Sequence, residues 1–274
     1  MIPRLKDISE LLEGIAPRRL AEKWDNVGLQ VGSRNKEIRR ILLALDPGLD
    51  ALEAASNMGA QLLITHHPLI FSPLYNVDTE SFPGEIIAAA LEKGICVMAA
   101  HTNLDGAREG ISEVLAELLD IKNLEIIEKS GDREDEGLGR IGTLDEKVPL
   151  FVFARNVAER LAVDTVKIVG EETAMVQKVA VLGGAGGGFV SKALSMSADV
   201  LVTGDLGYHH ALEASRCGLA VVDAGHFHTE KAALRIVAGR FQSVIKSMGW
   251  AVDVEFYEGQ KPPFLYFSTG IPRR

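Results

Sequence analysis

Short apolar runs alternate with amphipathic stretches along nearly the whole chain, and several of the amphipathic stretches close on glycine. The runs at 39–46 (RRILLALD), 60–67 (AQLLITHH) and 95–102 (ICVMAAHT) read as strands. Those at 48–59, 84–94 and 107–121 carry helical spacing. Near-continuous apolar strands separated by crossover helices predict a mainly parallel or mixed sheet covered on both faces. The expected class is therefore α/β.

Between about 121 and 148 the texture changes to charged, glycine-rich sequence without helical period (EKSGDREDEGLGRIGTLDEK within it). This predicts a connection with a β-hairpin and the best domain boundary. One α/β domain is expected over 1–123 and a second over 124–274, with the C-terminal segment packing back on the first. Strand and helix patterns resume after the break, at 165–170, 176–184, 198–205, 219–226 and 251–258 for strands and 153–162, 190–197, 208–218 and 229–249 for helices. The halves also resemble each other. GAQLLITHH (59–67) parallels SADVLVTGD (197–205), and GICVMAAHTNLD (94–105) parallels GLAVVDAGHFHTE (218–230), with an acid four residues after a histidine in each case. Two similar domains related by a degenerate duplication follow.

Ligands of open α/β sheets bind beyond the carboxyl ends of the strands, and the polar residues collect at those ends: His66 and His67, His101 through Asp105, Thr203 through Asp205, and His226 through Glu230. Histidine with carboxylate is a ligand set for zinc, iron, manganese and similar ions. Adjacent histidines on an extended chain point to opposite sides, which favours two ions about 3.5–4 Å apart over one. Such a pair needs a bridging carboxylate. Glu230 suits the role because it lies at a helix start, four residues after His226.

Each motif also has a purely structural reading. The pair 66–67 could cap a strand, Asn103 or Asp105 could cap the following helix, and Thr229 could open a capping box. The glycine run 182–189 (LGGAGGGF) fits neither a dinucleotide fingerprint nor a P-loop. It offers either backbone N–H groups to an anion or a close helix–sheet approach. Trp24, Asp25 and Asn26 precede a strand-like segment; core and turn roles stand beside a substrate-facing one.

Charge and composition exclude other classes. The net charge of -9 opposes a phosphate backbone, and four Tyr with two Trp leave little for base stacking, so nucleic acid is not expected as a partner. No run approaches the roughly 18 apolar residues of a membrane span, and the first residues lack the apolar core of a signal peptide. Two unpaired cysteines, Cys96 and Cys217, fit a reducing compartment. A cytoplasmic location and no membrane partner are expected.

The stretches WDNVGLQVG, THHPLIF, HTNLD, GGAGGG, TGDLGYHHA and GHFHTE, in that order over about residues 5–270, resemble the motifs of the GTP cyclohydrolase 1 type 2 homologues, the NIF-three-like dinuclear metal proteins. The length resembles their short form without a middle insert domain. The resemblance implies a two-domain subunit in a ring-like homohexamer. It places the metal ligands on His66, His67, Asp105, His226 and Glu230, with Glu230 as the bridge, and two divalent ions per subunit (Zn, Fe, Mn, Co or Ni) as cofactors. His101 and His209 fall on further motif histidines, whereas His210 stands where many members carry an acid. Some members of the family are credited with opening the guanine ring of GTP. The expectation is a dinuclear metal-dependent hydrolase acting on a small molecule, a purine nucleotide or related heterocycle, through a metal-activated water. His101, His209 and Asp25 are the candidates for proton transfer. The alternative is a metal-binding scaffold or ion-handling ring protein without hydrolase activity.

Overall fold

A computed structural model of the chain describes residues 1–130, 133 and 135–267. The first half runs α1 (Leu5–Ile15), β1 (Gly28–Val31), β2 (Arg40–Ala44), α2 (Leu49–Asn57), β3 (Leu62–Thr65), α3 (Gly84–Glu92), β4 (Cys96–Ala99), α4 (Thr102–Gly106) and α5 (Ile111–Leu118). The second runs β5 (Lys122–Lys129), β6 (Gly137–Pro149), α6 (Leu150–Arg160), β7 (Lys167–Val169), β8 (Met175–Ala185), α7 (Val190–Ser195), β9 (Val200–Gly204), α8 (Tyr208–Cys217), β10 (Ala220–Asp223), α9 (His226–Ser247) and β11 (Asp253–Phe256).

Two sheets form. The first has the order β1-β4-β3-β2-β11 and the second β5-β6-β8-β9-β10-β7. Their central triplets share one topology. β2, β3 and β4 are parallel neighbours, with β1 antiparallel beside β4. β8, β9 and β10 are parallel neighbours, with β7 antiparallel beside β10. The duplication read from the sequence is thus a duplication of strand order.

It extends to a small detail. Gln61, before β3, accepts from the backbone N–H groups of Arg39 and Arg40 through one Oε1 (2.8 and 3.0 Å). Asp199, at the matching place before β9, accepts from Gln177 and Lys178 through one Oδ2 (2.9 and 2.8 Å). Gln61 thus caps the start of β2, and Asp199 meets the third and fourth residues of β8, in each case binding two successive amides of the neighbouring strand.

The strands alternate their side chains between two cores, as a pleat with both faces covered requires. Ile41, Leu43, Leu62, Ile64 and Met98 face one core, while Leu42, Leu63 and Val97 face the one under α2 and α3. In the second sheet Val179, Val181, Val200 and Val202 face one way, and Ala180, Leu182, Leu201 and Val221 the other, against α7. Two helices lie between the sheets. α5 sends Ile111 and Val114 into the first core and Leu115 and Ala116 into the second. α9 begins beside the second sheet but buries Leu234, Phe241 and Ile245 with the strands of the first.

The charged region is more than a connection. β5 and β6 pair antiparallel, and β6 pairs β8, so the hairpin widens the second sheet. Its residues 131, 132 and 134 lie outside the described residues. β11 pairs parallel with β2 and completes the first sheet from the far end of the sequence. Among the described residues no helix is long and apolar enough to cross a membrane.

Candidate metal centre

β3 ends at Thr65, and the two following residues leave the ladder with their backbone N–H groups still bonded to the carbonyls of Ala44 and Leu45. This frees both imidazoles to turn the same way: the rings of His66 and His67 lie 5.2 Å apart, and each is about 5 Å from His101. β4 ends at Ala99, and the short α4 turns Asp105 back toward His66, with 3.5 Å between Oδ1 and Nε2. From the other sheet, Gly225 adopts φ 83° after β10 and launches α9, whose first turn carries His226 and Glu230 on one face. The carboxyl ends of two strands from each sheet therefore meet.

Every imidazole in the cluster has its Nδ1 engaged from behind. His66 Nδ1 meets the carbonyl of Ala100 (3.0 Å), His67 Nδ1 meets Asp46 (2.7 Å), His101 Nδ1 meets Asp25 (3.0 Å), and His226 Nδ1 meets Asp205 (2.8 Å). Each partner is an acceptor, so each Nδ1 carries the donating proton, and in the neutral imidazole Nε2 presents a lone pair. Those lone pairs converge. His67 Nε2 and His226 Nε2 are 3.3 Å apart, and both lie close to Glu230 Oε2, at 3.2 and 3.1 Å. His66 Nε2 is 3.6 Å from Glu230 Oε1.

With the imidazoles neutral, the result is a nest of acceptors without donors. Among the described residues the buried atoms His66 Nε2, Asp105 Oδ1 and Glu230 Oε2 have no hydrogen-bond partner within the distance and angle of an ordinary hydrogen bond, a costly arrangement unless a cation is shared among them. Two triads bring ligand atoms within 4.8 Å of one another: His66, His67 and His101, and His67, His226 and Glu230. These histidine and glutamate groups could hold a metal ion.

The protonation balance of the bare protein points the same way. Burial opposes a charged His67, yet hydrogen bonds to Asp46 and Glu230 carry it up to about 10. Burial likewise opposes His226, but Glu230 and then Asp205 lift it to about 9. Glu230 is itself buried, which would raise it; the charge on His66 and hydrogen bonds from His226, His66 and His67 hold it well below the usual carboxylate range. Asp105 is pushed up to about 7 by burial, opposed by His66 and reinforced by the charge on Glu230. The pocket draws in positive charge, which protons supply when no metal does.

The profile of the Duf34/NIF3 (NGG1p interacting factor 3) family matches residues 3–263. The chain belongs to that family. A relative from Clostridium perfringens, named GTP cyclohydrolase 1 type 2 homolog, is 34% identical over 265 residues, covering 96% of this chain and 99% of its own. One of the same name from Streptomyces coelicolor is 33% identical over 276 residues, covering 99% and 97%. Among solved structures, a Bacillus cereus protein related to NIF3 superimposes with a TM-score of 0.93 at 27% identity, over 97% of this chain and 100% of that one. The two-sheet α/β architecture is thus that of the family.

The remaining sequence candidates fall in different places. Asp25, its carboxylate fully buried, lies behind His101 and also accepts from the backbone N–H and hydroxyl of Thr102 (3.1 and 2.5 Å). Burial would raise Asp25, but the hydrogen bonds from His101 and Thr102 bring it down to about 2. His209 is exposed at the start of α8, against Tyr208, and belongs to neither ligand-capable triad. His210 packs on the glycine run, where a Cβ at Gly187 would lie 2.4 Å from its Nδ1. His228 lies beside the centre and titrates below an ordinary histidine, chiefly through burial and then the Lys231 charge.

Of the two readings of the glycine run, close packing is the one its geometry supports. A Cβ at Gly184 would lie 2.2 Å from Glu230 Oε1, and one at Gly186 would lie 2.1 Å from the hydroxyl of Thr203. The Gly184 N–H instead donates to Thr229 (3.0 Å), fixing the loop to the first turn of α9. Sequence reasoning did not single out Asp46 or the orienting role of Asp205. Both close apolar runs, LALD and LVTGD, so strand-end position was the available signal.

Proposed function

We propose that the chain is a dinuclear metal-dependent hydrolase acting on a purine nucleotide or a related heterocycle. The observation that carries this is the convergence of imidazole Nε2 atoms and carboxylate oxygens from both sheets within 3.1–3.6 Å of one another. His66 and Asp105 would hold one divalent ion and His67 and His226 the other, with Glu230 between, one oxygen toward each set. When bound, such ions supply Lewis acidity toward a water and a substrate heteroatom. The ligand set suits zinc, iron, manganese, cobalt or nickel.

The chain's own contribution is orientation and proton handling. Asp46, Asp205 and the Ala100 carbonyl fix three imidazoles in the tautomer that presents Nε2 inward. Asp25 does the same for His101, and a carboxylate behind an imidazole stabilises the cation formed when Nε2 takes a proton. In this reading His101 would accept a proton from the attacking water and return it to a leaving nitrogen. Trp24 stands edge-on to its ring (5.9 Å between centroids) on the outer side. The name of the relatives supports GTP as the first substrate to try.

Metal analysis of anaerobically purified protein, followed by GTP and a panel of heterocyclic amides, tests the proposal. Glu230→Gln is expected to lose both bound metal and turnover. Activity that survives complete metal removal would overturn the mechanism. Full metal content with no turnover would favour the ring-scaffold alternative. Assembly into a homohexamer and a cytoplasmic setting belong to the same reading; Cys96 and Cys217 are both free thiols, and sedimentation reads the assembly directly.

A further inference from the structure

Beside the metal centre lies a cavity of about 520 Å³, within the roughly 300–1,000 Å³ typical of small-molecule sites. His67 and His226 form its inner wall, and residues 262–266 (PPFLY) its outer one. That outer wall is anchored. Gln260, only 7% exposed, accepts through Oε1 from the backbone N–H groups of Leu45 and Asp46 (2.7 and 3.2 Å) and donates through Nε2 to the Asp46 carbonyl (2.9 Å). Lys231 from α9 donates to the carbonyls of Glu258 and Gln260 (2.8 and 2.9 Å). The C-terminal segment is thereby clasped to Asp46, the residue that orients His67, before it runs along the cavity. Phe264 and Tyr266 line the space while 67% and 61% exposed. Aromatic faces left open on an anchored segment next to a reactive centre suit a planar ligand, which stacking would cover.

Charge narrows the ligand. Among the described residues the lining carries the carboxylates Asp46, Asp205 and Asp223 and one ammonium, Lys167, already paired with Asp223 at 2.8 Å. A divalent pair does not reverse this balance. Its four positive charges would face Asp105 and Glu230 directly and Asp25, Asp46 and Asp205 behind the imidazoles. Among the described residues of the lining no cation is left over to receive a triphosphate.

We propose that this cavity is the substrate-recognition subsite, and that it takes a planar, uncharged heterocycle as free base or nucleoside in preference to its triphosphate. The assignment of the bound molecule as substrate rests on the hydrolase reading of the adjoining centre. Phe264 and Tyr266 are the specificity-determining residues, contributing by stacking.

The test is calorimetric titration of the metal-loaded full chain with guanosine and with GTP, alongside elemental analysis of each protein sample. Guanosine is expected to bind about tenfold more tightly than GTP, and Phe264→Ala with Tyr266→Ala to weaken it by about tenfold at unchanged metal content. Tighter binding of GTP, unchanged guanosine affinity in the double variant, or no binding of either probe would overturn the proposal. Metal content separates the two readings. Protein that holds its ions yet prefers GTP defeats the subsite alone. Protein that holds none, but binds guanosine through residues 264 and 266, defeats the metal reading and keeps the subsite.

Discussion

The end of β3 and the end of β9 are the same place in two copies of one strand order, yet they do different work. At the first the sequence is Thr65-His66-His67, and both imidazoles face the acceptor nest. At the second it is Thr203-Gly204-Asp205. A Cβ at Gly204 would lie 2.3 Å from the backbone nitrogen of His226, so the counterpart of His66 is reduced to a hydrogen to let α9 begin. The counterpart of His67 is a carboxylate that reaches outward to hold His226. The first copy offers acceptors from this strand end and, through Asp105, from the helix after the next strand. The second offers an orienting acid at the strand end and acceptors only from the corresponding helix, through His226 and Glu230. A duplicated scaffold with the same chemistry at both ends would leave two half-sites; the divergence makes one closed site.

If the copies are complementary, damage to the orienting acid in either should look alike. Asp46→Asn and Asp205→Asn are each expected to weaken metal binding about 10–100-fold while leaving the fold intact. A competition titration against a chelator would show it, and a large effect from one with none from the other would break the symmetry. Backbone space differs between neighbouring glycines of one loop. Gly184→Ala places a methyl against Glu230 at φ 67°, so a loss of about 1–3 kcal/mol is expected in urea unfolding. Gly188→Ala meets nothing within 4 Å and should be close to neutral.

A third measurement asks whether the imidazoles of the two copies titrate together. In the metal-free chain His67 and His226 hold protons up to about 10 and about 9, against an ordinary 6.5. The folded state therefore binds more protons than the unfolded one between these values, and stability falls as pH rises through the window. Metal-stripped protein should melt at progressively lower temperature from pH 6.5 to about 10. His67→Gln with His226→Gln should flatten that slope. A smaller loss belongs to the side chains that bind strand amides: Gln61→Ala and Asp199→Ala should each cost about 1 kcal/mol. A clear inequality between them would sharpen where the copies have parted.

The sequence carried the strands, their order of alternation and the strand-end residues, because buried parallel strands are written as apolar runs and their ends as abrupt polarity. His66, His67, Asp105, His226 and Glu230 were all legible this way, and the structure brings them together. The pairs Asp46–His67 and Asp205–His226 were not, since each joins ends of neighbouring strands 21 residues apart, and no local pattern marks the pairing. The hairpin was visible only as charge and glycine, because β5 and β6 lack a continuous apolar face. His209 looked like its motif neighbours, but its place at the start of α8 leaves it exposed. The position of residues 262–266 depends on Gln260, whose glutamine side chain announces nothing in a sequence.

β11 gives the molecule a temporal property. During synthesis β2, β3 and β4 leave the ribosome early, but the edge of β2 stays bare until residues 253–256 follow. His226 trails His67 by 159 residues. A nascent chain thus carries an open strand edge through most of translation, the state in which edges recruit chaperones or each other.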